Sequence, residues 1–299
     1  MADAMPRRQL GRTGLEVTRL GYGAMEIRGS RIWNGRSVSD RQAETVLNEV
    51  LDSGINFIDT ANDYGRSEEL IGRYLNSRRD EFFLATKCGC KVTRRDEYTD
   101  DTAHVWTREN LERGLHESLS RLRTDCVDVL QLHNPKVTDC ETGNLVSVLE
   151  DMRRQGKTRW IGCSSTLPDI ETYIGWGVFD TFQIPYSALQ REHEDVITRA
   201  AEAGAGVIVR GGVARGEPGN GLGDRSRWAS FQAANLDELR EPGESRTAFL
   251  LRFTMSHPVI STTIVGTLDL GHLRENAEAA RRGPIPAGTY EEAKRRLNG

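Results

Sequence analysis

Four ionisable side chains sit at or just past the ends of short apolar runs. Asp59 and Tyr64 follow Ile55-Asn56-Phe57-Ile58, Lys87 ends Phe82-Phe83-Leu84-Ala85-Thr86, and His133 ends Val127-Asp128-Val129-Leu130-Gln131-Leu132. An acid, a phenol, an ammonium and an imidazole gathered in one place make a proton-transfer site. A parallel α/β sheet gathers them, because side chains at the carboxyl ends of its strands converge on the face where ligands bind.

The elements such a sheet needs are legible along the chain. Strand-like runs fall at residues 18–23, 56–60, 83–86, 127–132, 159–163, 181–184, 206–209 and 262–265. Several are almost wholly apolar, as strands covered on both faces must be. Amphipathic segments alternate with them at 42–51, 67–74, 107–122, 145–154, 167–173, 194–203, 246–255 and 270–280. In the first of these Ala43, Val46, Leu47, Val50 and Leu51 share one stripe; in the third Leu111, Leu115, Leu119 and Leu122 do. Eight strands alternating with eight helices predict a closed (β/α)8 barrel as one domain over residues 1–299. Residues 8–17 read as a β-hairpin that plugs the barrel's amino-terminal mouth. Two connections are too long for ordinary turns: 88–106 after the third strand, and 211–245 after the seventh. Both fall on the catalytic face, and 211–245, rich in Gly, Ser and charge, is expected to be a mobile lid.

Composition narrows the partners. Forty basic against 44 acidic residues give a net charge of −4, which excludes nucleic acid or an anionic membrane recognised by bulk charge. No apolar run approaches the roughly 18 residues of a membrane span, and residues 1–8 lack the apolar core of a signal peptide. The five cysteines are an odd, scattered set, and only Cys88 and Cys90 are close. No metal site is expected, and free thiols in a cytoplasmic protein are.

The residues resemble the aldo-keto reductase superfamily over nearly the whole chain. Leu10-Gly11-Arg12-Thr13-Gly14-Leu15-Glu16-Val17 is similar to that family's hairpin, and Gly54 to Gly65, including Asp59-Thr60-Ala61-Asn62-Asp63-Tyr64, to its most diagnostic block. Ser67-Glu68-Glu69-Leu70-Ile71-Gly72, Ala85-Thr86-Lys87 and Leu130-Gln131-Leu132-His133 continue the pattern. The resemblance implies a barrel that holds an extended nicotinamide dinucleotide without a Rossmann domain, and no strand–GxGxxG–helix unit with a downstream acid is present.

It also implies roles. Tyr64 gives the proton to a carbonyl oxygen. A free phenol, with a pKa near 10, is a poor acid at neutral pH. An ammonium about 4 Å away contributes roughly 4 kcal/mol at an effective dielectric near 20, enough to lower that pKa by up to about three. Lys87 is the expected source, Asp59 the group that keeps it charged, and His133 the donor that orients the carbonyl. Ser164, Ser165 (where the family often has Asn) and Gln183 match the carboxamide site. Where the family commonly stacks an aromatic on the nicotinamide this chain has Arg210, with Tyr186 the alternative neighbour. Gly266, Thr267, His272, Glu275 and Asn276 match the adenosine end, although Gly266 and His272 replace the Lys and Arg that grip a 2′-phosphate, and Arg274 is a further candidate for it. NADPH is the cofactor expected from family tendency.

Met25, Trp33, Trp106 and Trp228 are the expected walls of a pocket for a small-molecule carbonyl substrate. Nothing in the chain selects sugar, steroid, ketone or simple aldehyde, and monomer is the family default. Two other functions fit the same residues: a cofactor-binding regulatory subunit resembling potassium-channel β subunits, and a Schiff-base aldolase using Lys87.

Overall fold

Short runs of buried residues, each followed by a segment with one apolar stripe, have one economical solution: strands inside, helices outside. The computed structural model describes residues 4–298, so the first three residues of the amino-terminal stretch and Gly299 lie outside the described residues. The strands are β1 (Arg7–Gln9), β2 (Glu16–Thr18), β3 (Leu20–Gly23), β4 (Phe57–Asp59), β5 (Phe83–Cys88), β6 (Cys90–Arg94), β7 (Asp100–His104), β8 (Val127–His133), β9 (Thr158–Ser164), β10 (Thr181–Pro185), β11 (Gly206–Arg210) and β12 (Thr262–Val265). The helices are α1 (Asp40–Asp52), α2 (Ser67–Tyr74), α3 (Arg108–Leu122), α4 (Val137–Thr142), α5 (Leu145–Arg154), α6 (Asp169–Trp176), α7 (Glu194–Glu202), α8 (Arg225–Ala233), α9 (Arg246–Ser256), α10 (Leu270–Arg282) and α11 (Ala287–Leu297).

Strands β3, β4, β5, β8, β9, β10, β11 and β12 form a closed barrel in that order, with β12 pairing back onto β3. Each neighbouring pair is parallel. The helices close over it with the stripes the sequence predicts. In α1 the buried residues are Ala43, Val46, Leu47, Val50 and Leu51, and the helix starts where Ser39 accepts from Gln42 N–H. Thr107 caps α3 in the same way, and Arg123, in the left-handed conformation, ends it.

The hairpin β1–β2 lies across the amino-terminal mouth. Leu10 and Val17 join Phe57, Ala85, Val129, Ile208 and Ile264 in one buried cluster, so the barrel's interior is a packed core at that end.

The two long connections carry more secondary structure than expected. Residues 88–106 are not an irregular loop but carry the antiparallel ribbon β6–β7. Within 211–245, α8 and a 3₁₀ turn at Leu236–Leu239 organise the second half around buried Trp228, Phe231 and Leu236. Helices α4, α8 and α11 were not anticipated. Among the described residues no helix is long and apolar enough to cross a membrane.

Candidate active site

The barrel delivers three of the four expected residues directly from strand ends. Asp59 closes β4, Lys87 is the penultimate residue of β5 and His133 closes β8. Tyr64 comes from the turn between β4 and α2. Thr60 and Ser67 link their hydroxyls at 2.8 Å across that turn, and Ser67 reaches the Ala24 carbonyl at 2.9 Å. Gly65, with φ +45°, takes a conformation that favours glycine, and a β-carbon there would collide with the Arg28 carbonyl oxygen. The tight turn that aims Tyr64 inward therefore requires glycine next to it.

Asp59 and Lys87 form a buried ion pair, Nζ to Oδ2 2.6 Å. Lys87 Nζ also donates to the Thr60 carbonyl at 2.8 Å. The other carboxylate oxygen, Oδ1, accepts from Gln131 Nε2 at 2.9 Å and from Gln183 Nε2 at 2.8 Å. A buried pair is tolerable when its hydrogen-bond capacity is largely filled; here both carboxylate oxygens and two of the three ammonium hydrogens have partners. Burial pulls the Lys87 ammonium down, but Asp59 and Tyr64 outweigh it and hold its pKa above the ordinary lysine value. Lys87 lies 4.9 Å from the centroid of the Tyr64 ring. The expected lowering of Tyr64 is reversed: burial raises the phenol more than Lys87 lowers it, with Asp59 and Asp63 adding to the rise. Lys87 moderates a desolvation penalty that the sequence does not reveal.

His133 is 6.0 Å from Tyr64, ring centroid to centroid. Its Nδ1 sits 3.1 Å from Cys90 Sγ, which leaves Nε2 as the ring's other polar atom. Gln131 is a functional neighbour that sequence reasoning missed. Two residues before His133 on one strand, and paired with Lys87 in the β5–β8 register, it had the alternation signal of an inward-facing residue.

A cleft of about 830 Å³ opens above these groups and runs to the far side of the barrel. Asp59, Tyr64, His133, Met25 and Trp33 line one end; Gly266, Thr267, His272, Glu275 and Asn276 line the other. Between them stand Ser164, Gln183, Asn134 and Arg210. Trp33 packs edge-on to Tyr64 at 6.0 Å and keeps 48% of its surface exposed. Burial lowers the Arg210 pKa, with Tyr64 and Asp59 opposing it, and no hydrogen-bond acceptor among the described residues partners its guanidinium.

Five expected contacts are not made. Tyr186 is fully buried away from the cleft, its hydroxyl 3.2 Å from that of Tyr290. Ser165 lies behind the wall, its N–H on the Gln183 carbonyl at 3.2 Å. Trp106 stacks on His104 instead of lining the cleft, with centroids 5.3 Å apart. Trp228 turns into the core of its own segment, donating to the Ala214 carbonyl at 3.3 Å. Arg274 is paired with Glu49 at 2.8 Å on the surface.

Gly266 explains its own departure from the expected lysine: a β-carbon there would collide with the Gly23 carbonyl oxygen and press on Glu26. Glu26 lines the cleft beside it, paired with Arg36 at 2.8 Å. Asp269 caps α10 by accepting from His272 N–H at 3.0 Å, a bond that holds its carboxyl below the usual range.

Residues 19–295 match the aldo/keto reductase family. The chain is 27% identical to the uncharacterized oxidoreductase YqkF of Bacillus subtilis (strain 168), over 92% of this chain and 91% of that one. It is 33% identical to the NADH-specific methylglyoxal reductase of Escherichia coli (strain K12), over 64% of this chain and 62% of the other. Among solved structures, the holo form of aldo-keto reductase AKR11C1 from Bacillus halodurans superposes with a TM-score of 0.85 at 27% identity, covering 98% of this chain and 96% of that one.

Proposed function

This chain belongs to the aldo/keto reductase family of oxidoreductases, and we propose that it reduces an aldehyde or ketone to the alcohol, reversibly, with Tyr64 as general acid. The observation that carries the reading is the Asp59–Lys87 pair, bonded to Thr60, Gln131 and Gln183 and held against Tyr64 at the floor of a cleft of about 830 Å³.

The cleft's residues suit a nicotinamide cofactor. Gln183 commits its amide nitrogen to Asp59, so its Oε1 is the atom left to accept from a carboxamide. Ser164 stands 3.5 Å from that oxygen and can donate beside it. Arg210 offers an unpaired planar cation at the ring position, a surface that can stack as an aromatic would. A bound reduced nicotinamide would supply the hydride. His133 Nε2–H orients the carbonyl oxygen and stabilises the charge that develops on it, Tyr64 donates its proton to that oxygen, and Lys87 stabilises the phenolate left behind.

For the adenosine end the walls support NADH over the NADPH of family tendency. Asp269, Glu275 and Glu26, the last paired with Arg36, line that end of the cleft, Gly266 cannot carry a lysine, and Arg274 is paired with Glu49. A carboxylate suits a ribose hydroxyl and repels a phosphate. An NADH-specific relative makes the choice familiar within the family.

An aldolase reading loses its nucleophile. A Schiff base needs a neutral amine, whereas Lys87 is bonded to Asp59 and to Thr60 O and is held charged. All five cysteines are free, in keeping with a cytoplasmic setting. The test is loss of reduced-nicotinamide absorbance with NADH and NADPH against aldehydes, ketones and sugars. Turnover with NADH preferred is expected. Tight cofactor binding without turnover on any carbonyl would move the protein to the regulatory-subunit reading.

A further inference from the structure

Behind the proton-transfer cluster, and sharing His133 with it, three metal-ligating side chains converge: Cys90, His104 and the Nδ1 side of the His133 ring. Strands β6 and β7 pair in a register that sets Cys90 directly opposite His104. Residues paired across a ribbon project from the same face, and this face meets the end of β8. Cys90 Sγ lies 3.1 Å from His133 Nδ1, and the rings of His104 and His133 are 5.8 Å apart, centroid to centroid. One donor atom from each of the three lies within 4.8 Å of the others. Trp106 stacks on His104 and fixes its ring. A second observation points the same way: Asp63 Oδ1 is buried without a hydrogen-bond partner, 3.5 Å from His133 Nδ1.

We propose that Cys90, His104 and His133 form a binding site for a thiophilic divalent cation of the Zn²⁺ class, with Asp63 as the carboxylate that faces it. Tetrahedral zinc holds thiolate sulfur at about 2.3 Å and imidazole nitrogen at about 2.0–2.1 Å, which sets ligand atoms roughly 3.4–3.6 Å apart. The cluster reaches that geometry by rotamer adjustments of about an ångström. One sulfur and two imidazoles select zinc over magnesium or calcium, which demand oxygen. The exposed edge of His104 gives the ion its entry. As the sulfur–metal bond forms, the S–H bond breaks and its proton leaves to solvent; nothing is oxidised or reduced. A metal on Nδ1 leaves the hydrogen on Nε2, so His133 keeps a donor toward the cleft. The site goes beyond the reductase reading and stands or falls separately from it.

Cobalt(II) is the probe. Titrating it into the metal-free full chain should give one equivalent bound, with a thiolate-to-cobalt charge-transfer band that Zn²⁺ abolishes. Cys90→Ser should remove the band, His104→Ala should weaken binding at least about tenfold, and Cys126→Ser, at a distant half-buried thiol, should change neither. Circular dichroism checks that each variant is folded. No band in the wild-type protein, a band that survives Cys90→Ser, or binding indifferent to His104→Ala would overturn the proposal.

Discussion

The two ends of the cleft are built on opposite terms. At the reacting end each polar atom of the Asp59–Lys87 pair answers to a named partner inside the barrel: Lys87, Gln131 and Gln183 on the carboxylate, Thr60 O on the ammonium. At the end proposed for the adenosine the side chains of His272 and Glu275 are exposed, Gly266 has no room for a β-carbon, and Glu26, Asp269 and Glu275 line the wall. One end is fixed by internal satisfaction, the other by what it withholds. The first should therefore be sensitive in stability and rate together, and the second only in cofactor choice.

The largest effect should come from Lys87→Met. It leaves Asp59 charged and buried without its counter-ion, which costs about 3–5 kcal/mol, read as a lower urea midpoint, and turnover should fall with it. A fold as stable as wild type would mean that the glutamines alone hold Asp59. Tyr64→Phe should spare stability and cofactor affinity while reducing turnover at least about a hundredfold; comparable turnover would remove Tyr64 from its role. In the parent protein the general acid must be protonated, and burial raises its pKa above the ordinary 10.0. Carbonyl reduction should thus hold steady through neutral pH and decline only above that value, and a decline already complete at neutral pH would contradict the placement of the phenol.

At the other end, His272→Arg should shift preference toward NADPH by roughly tenfold, the worth of one charge-assisted hydrogen bond of about 1.5 kcal/mol, with the urea midpoint unchanged. A loss of stability in that variant would erase the contrast between the ends. The smallest effect belongs to Arg210→Met. Removing the half-buried cation on the cleft wall relieves a repulsion with oxidised nicotinamide of about 0.7 kcal/mol at the bulk-water dielectric, the weak limit for a guanidinium facing an open cleft. NAD⁺ affinity should rise roughly threefold relative to NADH, as measured by protein fluorescence titration.

The barrel was legible because its strands are buried on both faces and so leave mostly apolar runs, as in residues 206–209. The tetrad was legible because each member marks the end of such a run or the turn beyond it. The ribbon β6–β7 was not, since nearly all its residues are exposed or half-exposed and no apolar alternation betrays them. Trp228 and Tyr186 misled for a related reason: a large ring signals burial, and sequence does not say on which side of a wall it is buried. Ser165 failed because a strand's last residue and the next one point to opposite sides, and Ser164 holds the inward position. The reversal at Tyr64 came from desolvation, a property of the whole enclosure that no pair of residues encodes.

The hairpin that corks the barrel has a consequence for how the molecule is made. Leu10 and Val17, among the earliest residues synthesised, find partners in Ile208 and Ile264, both in the last third of the chain. Strand β3 likewise waits for β12 to close its free edge. Contacts of such long sequence separation form slowly because a large loop must be ordered first. Until β12 is available, β3 has a partner on one side only, β4, and its other edge is of the kind that invites association with other chains. Sealing the barrel's floor and completing its wall are thus a single late event, and the cleft above comes into being with it.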